Sequence, residues 1–266
     1  MAALPIGPAT VVAPTHWWAS DFISDLHLTE STPRAFALWS DFLHESRADA
    51  IFILGDLFEA WVGDDSRFGG FEARGAATLA SAAHRRPIYF MVGNRDFLLG
   101  AEMLAACGMK ALEDPTLLCA FGDKVLLSHG DALCLGDVPY QQFRRVVRDP
   151  AWQRGFLERP LAERRAMART LRDESERHKS TQKPGEWVDV DRAAALAALQ
   201  STGATTLIHG HTHRPASEEI APGHRRHVLS DWDLDSPGSD RAEVLRWVVG
   251  RFMRLSPGAA MRPAPS

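Results

Sequence analysis

Five apolar stretches, rich in β-branched and aromatic residues, each end on side chains that can bind a metal ion. They span residues 22–27, 51–56, 88–94, 125–129 and 207–213. Short apolar runs of this composition are typical of buried strands. Apolar residues at helical spacing predict an amphipathic helix over residues 34–47, and an alanine-rich helix is predicted over 71–83. Strands that alternate with helices predict an α/β fold with mostly parallel strands.

Beyond residue 98 the predicted strands follow one another more closely. Helices are predicted over residues 99–106 and 191–200, each ending before a glycine, which readily takes the left-handed conformation of a helix end. Further strands are predicted over residues 117–121, 124–128, 205–208, 227–229, 242–249 and 251–255, with Gly122-Asp123 as a hairpin turn. This spacing indicates antiparallel pairing beside the parallel strands.

A change in composition separates residues 138–185 from the rest of the chain. This segment has a net charge of +6, from twelve Lys or Arg and six acidic residues, whereas the remainder carries −10. Prolines occur near three predicted helix starts, and Asp137 and Asp149 can serve as N-caps. We therefore predict three helices inserted into the α/β body, with an apolar face beside a basic one. An ordinary solvated helical hairpin is the alternative interpretation.

The overall composition is that of a soluble globular protein, with 266 residues, 45% of them hydrophobic, and a net charge of −4. It gives no indication of a nucleic-acid partner. Three cysteines without C-x-x-C spacing imply neither a disulfide framework nor a zinc site, and favour a reducing cytoplasm. No apolar run approaches the ~20 residues that span a bilayer. The predicted organisation is a flexible extension over residues 1–18, a core over 19–137 and 186–255, the insertion over 138–185, and a flexible tail over 256–266.

The polar residues at the strand ends form a set with metal-ligand chemistry. Asp25 and His27 are two residues apart, as are His211 and His213, and in an extended chain such pairs point to one side. The further members of the set are Asp56, whose two oxygens suit a bridge between ions, with Asn94 and His129. Oxygen and nitrogen donors without thiolate favour Mn²⁺ or a similar ion, with Zn²⁺ or Fe²⁺ as alternatives. Each pair alone occurs often by chance, but five such elements in order indicate a metal site. The following Arg95-Asp96 could instead form a surface ion pair of little energetic weight.

These motifs resemble those of the calcineurin-like metallophosphoesterases over about residues 21–255. The motifs that carry the resemblance are Asp25-x-His27, Gly55-Asp56, Gly93-Asn94-Arg95-Asp96, Ser128-His129-Gly130 and Gly210-His211-Thr212-His213. The resemblance implies a four-layer α/β/β/α sandwich, two Mn²⁺ ions per chain, and a helical lid formed by the insertion. Arginine after Gly93-Asn94, where many relatives have histidine, and the sequence from Leu57 to Trp61 resemble the branch that acts on a lipid precursor.

The resemblance also implies roles for individual residues. Asp25, His27, Asp56 and His213 would hold one ion, and Asp56, Asn94, His129 and His211 the other. Asp56, Asn94, Arg95, His129 and His211 would be the catalytic residues. Substrate contacts are implied for Asn94, Arg95, Asp137 and His211, with Arg95 facing a phosphate, and for the lid residues Ser175, Lys179 and Lys183. Gln182 is the alternative to Lys183.

The implied reaction is hydrolysis of the pyrophosphate of a UDP-linked diacylated glucosamine in lipid A synthesis. The basic and apolar insertion then suggests acyl-chain binding, and peripheral contact with an anionic membrane surface on the cytoplasmic face of the inner membrane. Two alternatives remain at this point. One is a broader metallophosphodiesterase or nucleotide pyrophosphatase on the same scaffold. The other is a metal-binding scaffold without catalysis, which the complete ligand set disfavours.

Overall fold

The computed structural model describes residues 8–181 and 188–262, and residues 173–181 by their backbone only. Its strands are β1 (Ala9–Val12), β2 (Ala19–Ile23), β3 (Ala50–Leu54), β4 (Ile88–Met91), β5 (Lys110–Leu112), β6 (Thr116–Ala120), β7 (Asp123–Leu127), β8 (Thr206–His209), β9 (Ala216–Ala221), β10 (His224–Val228), β11 (Val244–Val248) and β12 (Arg251–Leu255). Its α-helices are α1 (Pro33–Glu45), α2 (Gly70–Ala83), α3 (Ala101–Cys107), α4 (Val138–Val147), α5 (Pro150–Leu157), α6 (Leu161–Thr181), α7 (Arg192–Thr202) and α8 (Pro257–Ala260).

The strands form two mixed sheets. Sheet I has the order β12-β11-β2-β3-β4-β5, and sheet II has the order β1-β6-β7-β8-β10-β9. Strands β2 to β5 are parallel, as the strand and helix alternation predicts, and β7 is parallel to β8. Antiparallel pairing occurs at β6–β7, β9–β10 and β11–β12.

Aromatic side chains fill the space between the two sheets. Phe52 stacks on Phe22 and on Tyr89, with ring centroids 5.0 and 4.7 Å away. These rings of sheet I share one core with sheet II residues such as Leu127 and Ile208. Helices α1, α2 and α3 cover the outer face of sheet I, and α7 covers that of sheet II. The four-layer α/β/β/α sandwich is thus confirmed.

The sheet arrangement places the polar strand ends together. The carboxyl ends of parallel strands lie at one edge of a sheet, and ligands bind in the crevice outside them. In sheet I this edge carries the residues that follow β2, β3 and β4, and in sheet II those that follow β7 and β8. Asp25, Asp56 and Asn94 therefore meet His129 and His211 across the top of the sandwich.

Both chain ends contribute more structure than the sequence predicts. In the predicted flexible extension, β1 pairs in parallel with β6, and Trp17 is buried between the sheets. In the predicted flexible tail, α8 packs on β11 and β12. Both predictions are wrong for these residues, because pairing with β6 and packing on β11 and β12, all distant in sequence, hold segments that lie among the Ala, Pro and Gly residues of the chain ends. The strands β5 and β9 are also absent from the predictions, and the tight turn lies at Phe121-Gly122 rather than Gly122-Asp123.

The three predicted helices of the insertion are confirmed as α4, α5 and α6. Asp137 caps α4 by accepting from Tyr140 N, and Asp149 caps α5 by accepting from Ala151 N and Trp152 N. The ring of Trp152 packs near Phe97 of the body. Within the described part of the chain, no helix combines the length and apolar character needed to cross a membrane.

Candidate metal centre

The structure brings the seven predicted ligands together at the top of the sandwich. Six non-glycine residues in the described ranges have positive φ, and five of them are predicted ligands: Asp25, His27, Asp56, His211 and His213. Such backbone conformations cost about 1–3 kcal/mol each and persist where the surrounding structure enforces them. The folded structure therefore holds these five residues in unfavourable backbone conformations, which turn their side chains inward from the strand ends.

The first group of ligand atoms lies beyond β2 and β8. His27 Nε2 lies 3.2 Å from His213 Nε2, which lies 3.3 Å from Asp25 Oδ1. Asp56 Oδ2 is 3.9 Å from His27 Nε2. Two atoms that bind one ion at about 2.1 Å are themselves about 3 Å apart, so Asp25, His27 and His213 could hold one ion, with Asp56 Oδ2 beside them.

The second group lies beyond β3, β4 and β7. Asn94 Oδ1 lies 2.9 Å from His129 Nε2 and 2.8 Å from His211 Nδ1. Asp56 Oδ1 is 3.7 Å from His129 Nε2. Asp56 thus presents one oxygen to each group, which is the arrangement that a carboxylate between two ions requires.

The chemistry of the donor set fits divalent cations. Asp25 is fully buried, and among the described residues its Oδ1 accepts no hydrogen bond, while its Oδ2 accepts from Ser24 Oγ and from His211 N. Burial would raise the pKa of Asp25, but the charges of His213, His129 and His27 outweigh it and hold the pKa well below its usual range. A buried, charged carboxylate oxygen whose near neighbours are imidazole nitrogens is a suitable place for a cation, which both kinds of donor could bind.

Hydrogen bonds from the body fix the ligand loops. His129 Nδ1 lies 2.9 Å from Leu54 O, which orients the ring and leaves Nε2 facing the centre. Asp96 is fully buried and accepts from Gly93 N at 2.7 Å and from Leu57 N at 2.8 Å. The interpretation of Asp96 as half of a surface ion pair is therefore wrong, because its carboxylate joins the loops after β3 and β4.

Arg95 lies beside the centre with unused donor capacity. Its Nη1 is 3.6 Å from Glu59 Oε1, and its buried Nε has no hydrogen-bond partner in the part of the chain that the structure describes. Burial would raise the pKa of Glu59, but the hydrogen bond and charge of His27 and the charges of Arg95 and Arg172 hold it at about 2. The guanidinium is thus aligned by a charged carboxylate and can still donate to an anion.

The insertion is attached to the loops of the centre. Buried Asp131 accepts from Tyr140 Oη at 2.5 Å and from Arg144 Nε at 2.8 Å, and Arg148 donates to Gly93 O. Burial opposes the charge of Asp131, but His129, Arg144 and Tyr140 keep its pKa well below the usual range. These contacts hold α4 against the loops that carry His129 and Asn94.

The structure describes only some of the residues that are predicted to bind substrate in and next to the insertion. Asp137 lies at the start of α4, where its side chain also serves as the N-cap. Ser175 and Lys179 lie on α6, with side chains outside the described residues, and Gln182 and Lys183 fall outside them altogether.

Sequence reasoning missed Glu59, Asp131 and Tyr140 as members of this region. Glu59 lies within a stretch already marked by the resemblance, and Asp131 follows His129 by two residues. A charged residue so close to a predicted ligand, in a stretch predicted to be buried, is a signal that could have identified both acids. Tyr140 offered no such signal, because its contact depends on how α4 docks.

Gly55 permits the close approach of the loops, and its replacement has a predictable cost. It has a φ of +90°, and an added Cβ would lie 2.5 Å from His129 Nδ1 and 2.7 Å from Gly93 Cα. Gly122 has a φ of +88° but nothing within 4 Å of an added Cβ. We expect Gly122→Ala to lower the free energy of unfolding by about 1–2 kcal/mol through backbone strain alone. Gly55→Ala should cost a further 1–3 kcal/mol or so, because the crowded backbone must also move. Urea denaturation of both variants measures the difference, and equal losses would refute the close-approach explanation.

Two groups of ligand atoms that share a carboxylate are the arrangement of hydrolases that use a pair of divalent ions to act on phosphate esters. The comparison with family models leads to the same class, since the calcineurin-like phosphoesterase model matches residues 21–215. The chain belongs to the calcineurin-like phosphoesterase family. The resemblance drawn from the sequence motifs is confirmed.

Curated relatives extend over most of the chain. A protein of Chromobacterium violaceum named UDP-2,3-diacylglucosamine hydrolase is 48% identical over 216 residues, which cover 80% of this chain and 90% of that protein. Proteins of the same name from two strains of Stenotrophomonas maltophilia are 45% and 46% identical, covering 79% and 88% of this chain and 90% and 98% of their own lengths.

Proposed function

We propose that the protein hydrolyses the pyrophosphate bond of UDP-2,3-diacylglucosamine, releasing UMP and 2,3-diacylglucosamine 1-phosphate in lipid A synthesis. The observation that carries this proposal is the complete set of seven ligand side chains, in two groups that share Asp56. Relatives named for this substrate match the chain over about 80% or more of its length, which supports the choice of substrate.

In this proposal the two groups hold two Mn²⁺ ions. Asp25, His27, Asp56 and His213 hold one ion, and Asp56, Asn94, His129 and His211 hold the other. When bound, such a pair supplies a nucleophilic water at neutral pH and neutralises charge on the phosphoryl group. The absence of thiolate among the donors supports a hard to borderline ion such as Mn²⁺.

The protein's own residues would bind and orient the pyrophosphate. Arg95 donates to a phosphoryl oxygen through the N–H groups that Glu59 leaves free, and so neutralises charge that grows there during the reaction. Asn94 and His211 are the further residues that we assign to contacts with the same group. Both products are phosphates, which leave readily, so the chain needs no strong general acid beside the scissile bond.

The insertion would act as the lid that selects the substrate. We assign Asp137, Ser175, Lys179 and Lys183 to contacts with the UDP-sugar. Large apolar side chains of the insertion are exposed, and this supports contact with acyl chains; they are Val138, Phe143, Val146, Leu157 and Leu171. With the +6 charge of residues 138–185, they also support peripheral association with an anionic membrane on the cytoplasmic face of the inner membrane.

The test is an assay of the purified protein with Mn²⁺ and three substrates. UDP-2,3-diacylglucosamine should yield UMP and the diacylated sugar phosphate with a kcat/KM at least about a hundredfold above that for UDP-N-acetylglucosamine, because only the former buries acyl chains. A CDP-alcohol tests the broader pyrophosphatase. Equal rates on all three substrates would overturn the assignment of the lipid substrate, and the absence of hydrolysis would overturn the proposed function.

A further inference from the structure

Glu59 connects three functional parts of the molecule through one carboxylate. It follows β3 by five residues and its side chain is 11% exposed. Its Oε2 lies 3.0 Å from His27 Nδ1, and its Oε1 lies 3.1 Å from Arg172 Nε and 3.6 Å from Arg95 Nη1. The two oxygens are therefore divided between the metal centre and two guanidinium groups.

The three partners come from separate elements. His27 lies in the loop after β2, Arg95 in the loop after β4, and Arg172 on α6 of the insertion. A buried ion pair that served stability alone would need one of these cations. With two arginines on one oxygen, this cluster keeps an excess positive charge at the edge of the centre, where a phosphate would lie.

We propose that Glu59 is a positioning residue that aims His27 at the metal centre and docks α6 over it through Arg172. This inference rests on the proposed function, since it gives Arg95 and Arg172 a common ligand, the pyrophosphate of the substrate. The Glu59 carboxylate thereby couples the docked position of α6 to the geometry of the metal centre.

The role proposed for Glu59 in orienting His27 follows from imidazole chemistry. His27 Nδ1 lies 3.0 Å from Glu59 Oε2, and a proton held on Nδ1 beside this carboxylate would leave Nε2 with its lone pair, facing His213 Nε2 across 3.2 Å. Partners of this kind fix the ring and its tautomer, and their loss typically lowers metal affinity by about 10–100-fold.

The contact of Glu59 with Arg172 helps to hold α6 against the rest of the protein. Arg164 pairs with Asp65 and Arg165 pairs with Glu72 near the start of the helix. Arg172 lies two turns further along α6. Its contact with Glu59 holds the second half of α6 near the metal centre, whereas Arg164 and Arg165 attach the first half to residues before and within α2. Ser175 and Lys179, the substrate residues proposed on α6, follow within seven residues of Arg172.

The test uses Glu59→Gln, because the uncharged amide has an acceptor oxygen on one side and an NH2 donor on the other, so it cannot offer an acceptor both to His27 and to the arginines on the opposite side. We expect calorimetric titration with Mn²⁺ to show at least a tenfold loss of affinity at the first group. Hydrogen exchange of the metal-loaded protein should show faster deuterium uptake across residues 168–181. Glu72→Gln is the matched control, since it removes another glutamate that pairs with α6 but contacts no ligand, and its Mn²⁺ affinity should stay at the wild-type value.

Arg172→Gln separates the effect of Glu59 on α6 from its effect on His27. It should speed exchange in the second half of α6 while leaving Mn²⁺ affinity within about twofold of wild type. If Glu59→Gln binds Mn²⁺ like wild type, or leaves the exchange of α6 unchanged, the proposal is overturned. Neither measurement depends on which substrate is hydrolysed, so a failure of the proposed function would be seen separately in the substrate assay.

Discussion

Replacing Asp56 with asparagine should lower kcat for phosphodiester or pyrophosphate hydrolysis by about 10³-fold or more. Asp56 presents Oδ2 to the first ligand group and Oδ1 to the second. Asparagine keeps the size of the side chain, and its oxygen can still accept from Arg95 N, which donates to Asp56 Oδ1 at 2.8 Å. The change therefore removes the charge that two cations would share while it preserves the loop. Steady-state kinetics with saturating Mn²⁺ measure the effect.

The matched control for this prediction is Asp123→Asn, at the exposed start of β7. It removes one carboxylate from the surface and should leave kcat within about twofold of wild type, as expected for surface changes away from a site. His129→Ala should match the loss seen for Asp56→Asn, because both residues act in one unit and their effects are not additive. A fully active Asp56→Asn enzyme would exclude a catalytic role for the shared carboxylate.

The largest effect on stability is expected at the buried ion pair between Asp21 and Arg246. Arg246 donates to Asp21 from Nε and Nη2, both at 2.7 Å, and its Nη2 also donates to Ala260 O in α8. Asp21 is fully buried and accepts a further hydrogen bond from Ser46 Oγ. Arg246→Met should lower the free energy of unfolding by about 3–5 kcal/mol, because it leaves a buried carboxylate unpaired.

Three further variants, one of them the single change Asp21→Asn, show whether the unpaired charge is the cause. Asp21→Asn combined with Arg246→Met removes both charges, and its loss should be clearly smaller than the sum of the single losses. Asp240→Asn breaks an ion pair with Arg34 in which both side chains are more than half exposed, and it should cost less than about 1 kcal/mol. Chemical denaturation measures all four free energies. Additive losses in the double variant would contradict the explanation.

The elements that the sequence predicts well are those whose signal is local. The buried strands β3, β4 and β8 combine apolar runs with β-branched residues, and helix α1 shows helical spacing, so their observed bounds lie close to the predicted ones. The caps at Asp137 and Asp149 are likewise local. The candidate site could be predicted because parallel strands end at one edge, so residues that follow them must converge.

The elements that the sequence does not predict depend on distant partners. β1 is stabilised by β6, which lies more than a hundred residues later, and α8 is held in part by Arg246. Strand β2 begins earlier than its apolar run, because buried Asp21 is paired with that same arginine. Composition and periodicity contain no information about such pairs. The role of Asp96 escaped prediction for the same reason, since its hydrogen bonds join two loops.

In the proposed function, the strand-end residues form one centre for two ions. Anomalous diffraction from crystals of the Mn²⁺-loaded protein tests it most directly, with metal analysis of the same sample. We predict two peaks per chain, about 3.5–4 Å apart, the spacing of two-metal hydrolase sites. Asp56 should lie between the peaks, with Asp25, His27 and His213 at one and Asn94, His129 and His211 at the other. A fully active enzyme with one peak per chain, or with peaks away from Asp56, would contradict the claim.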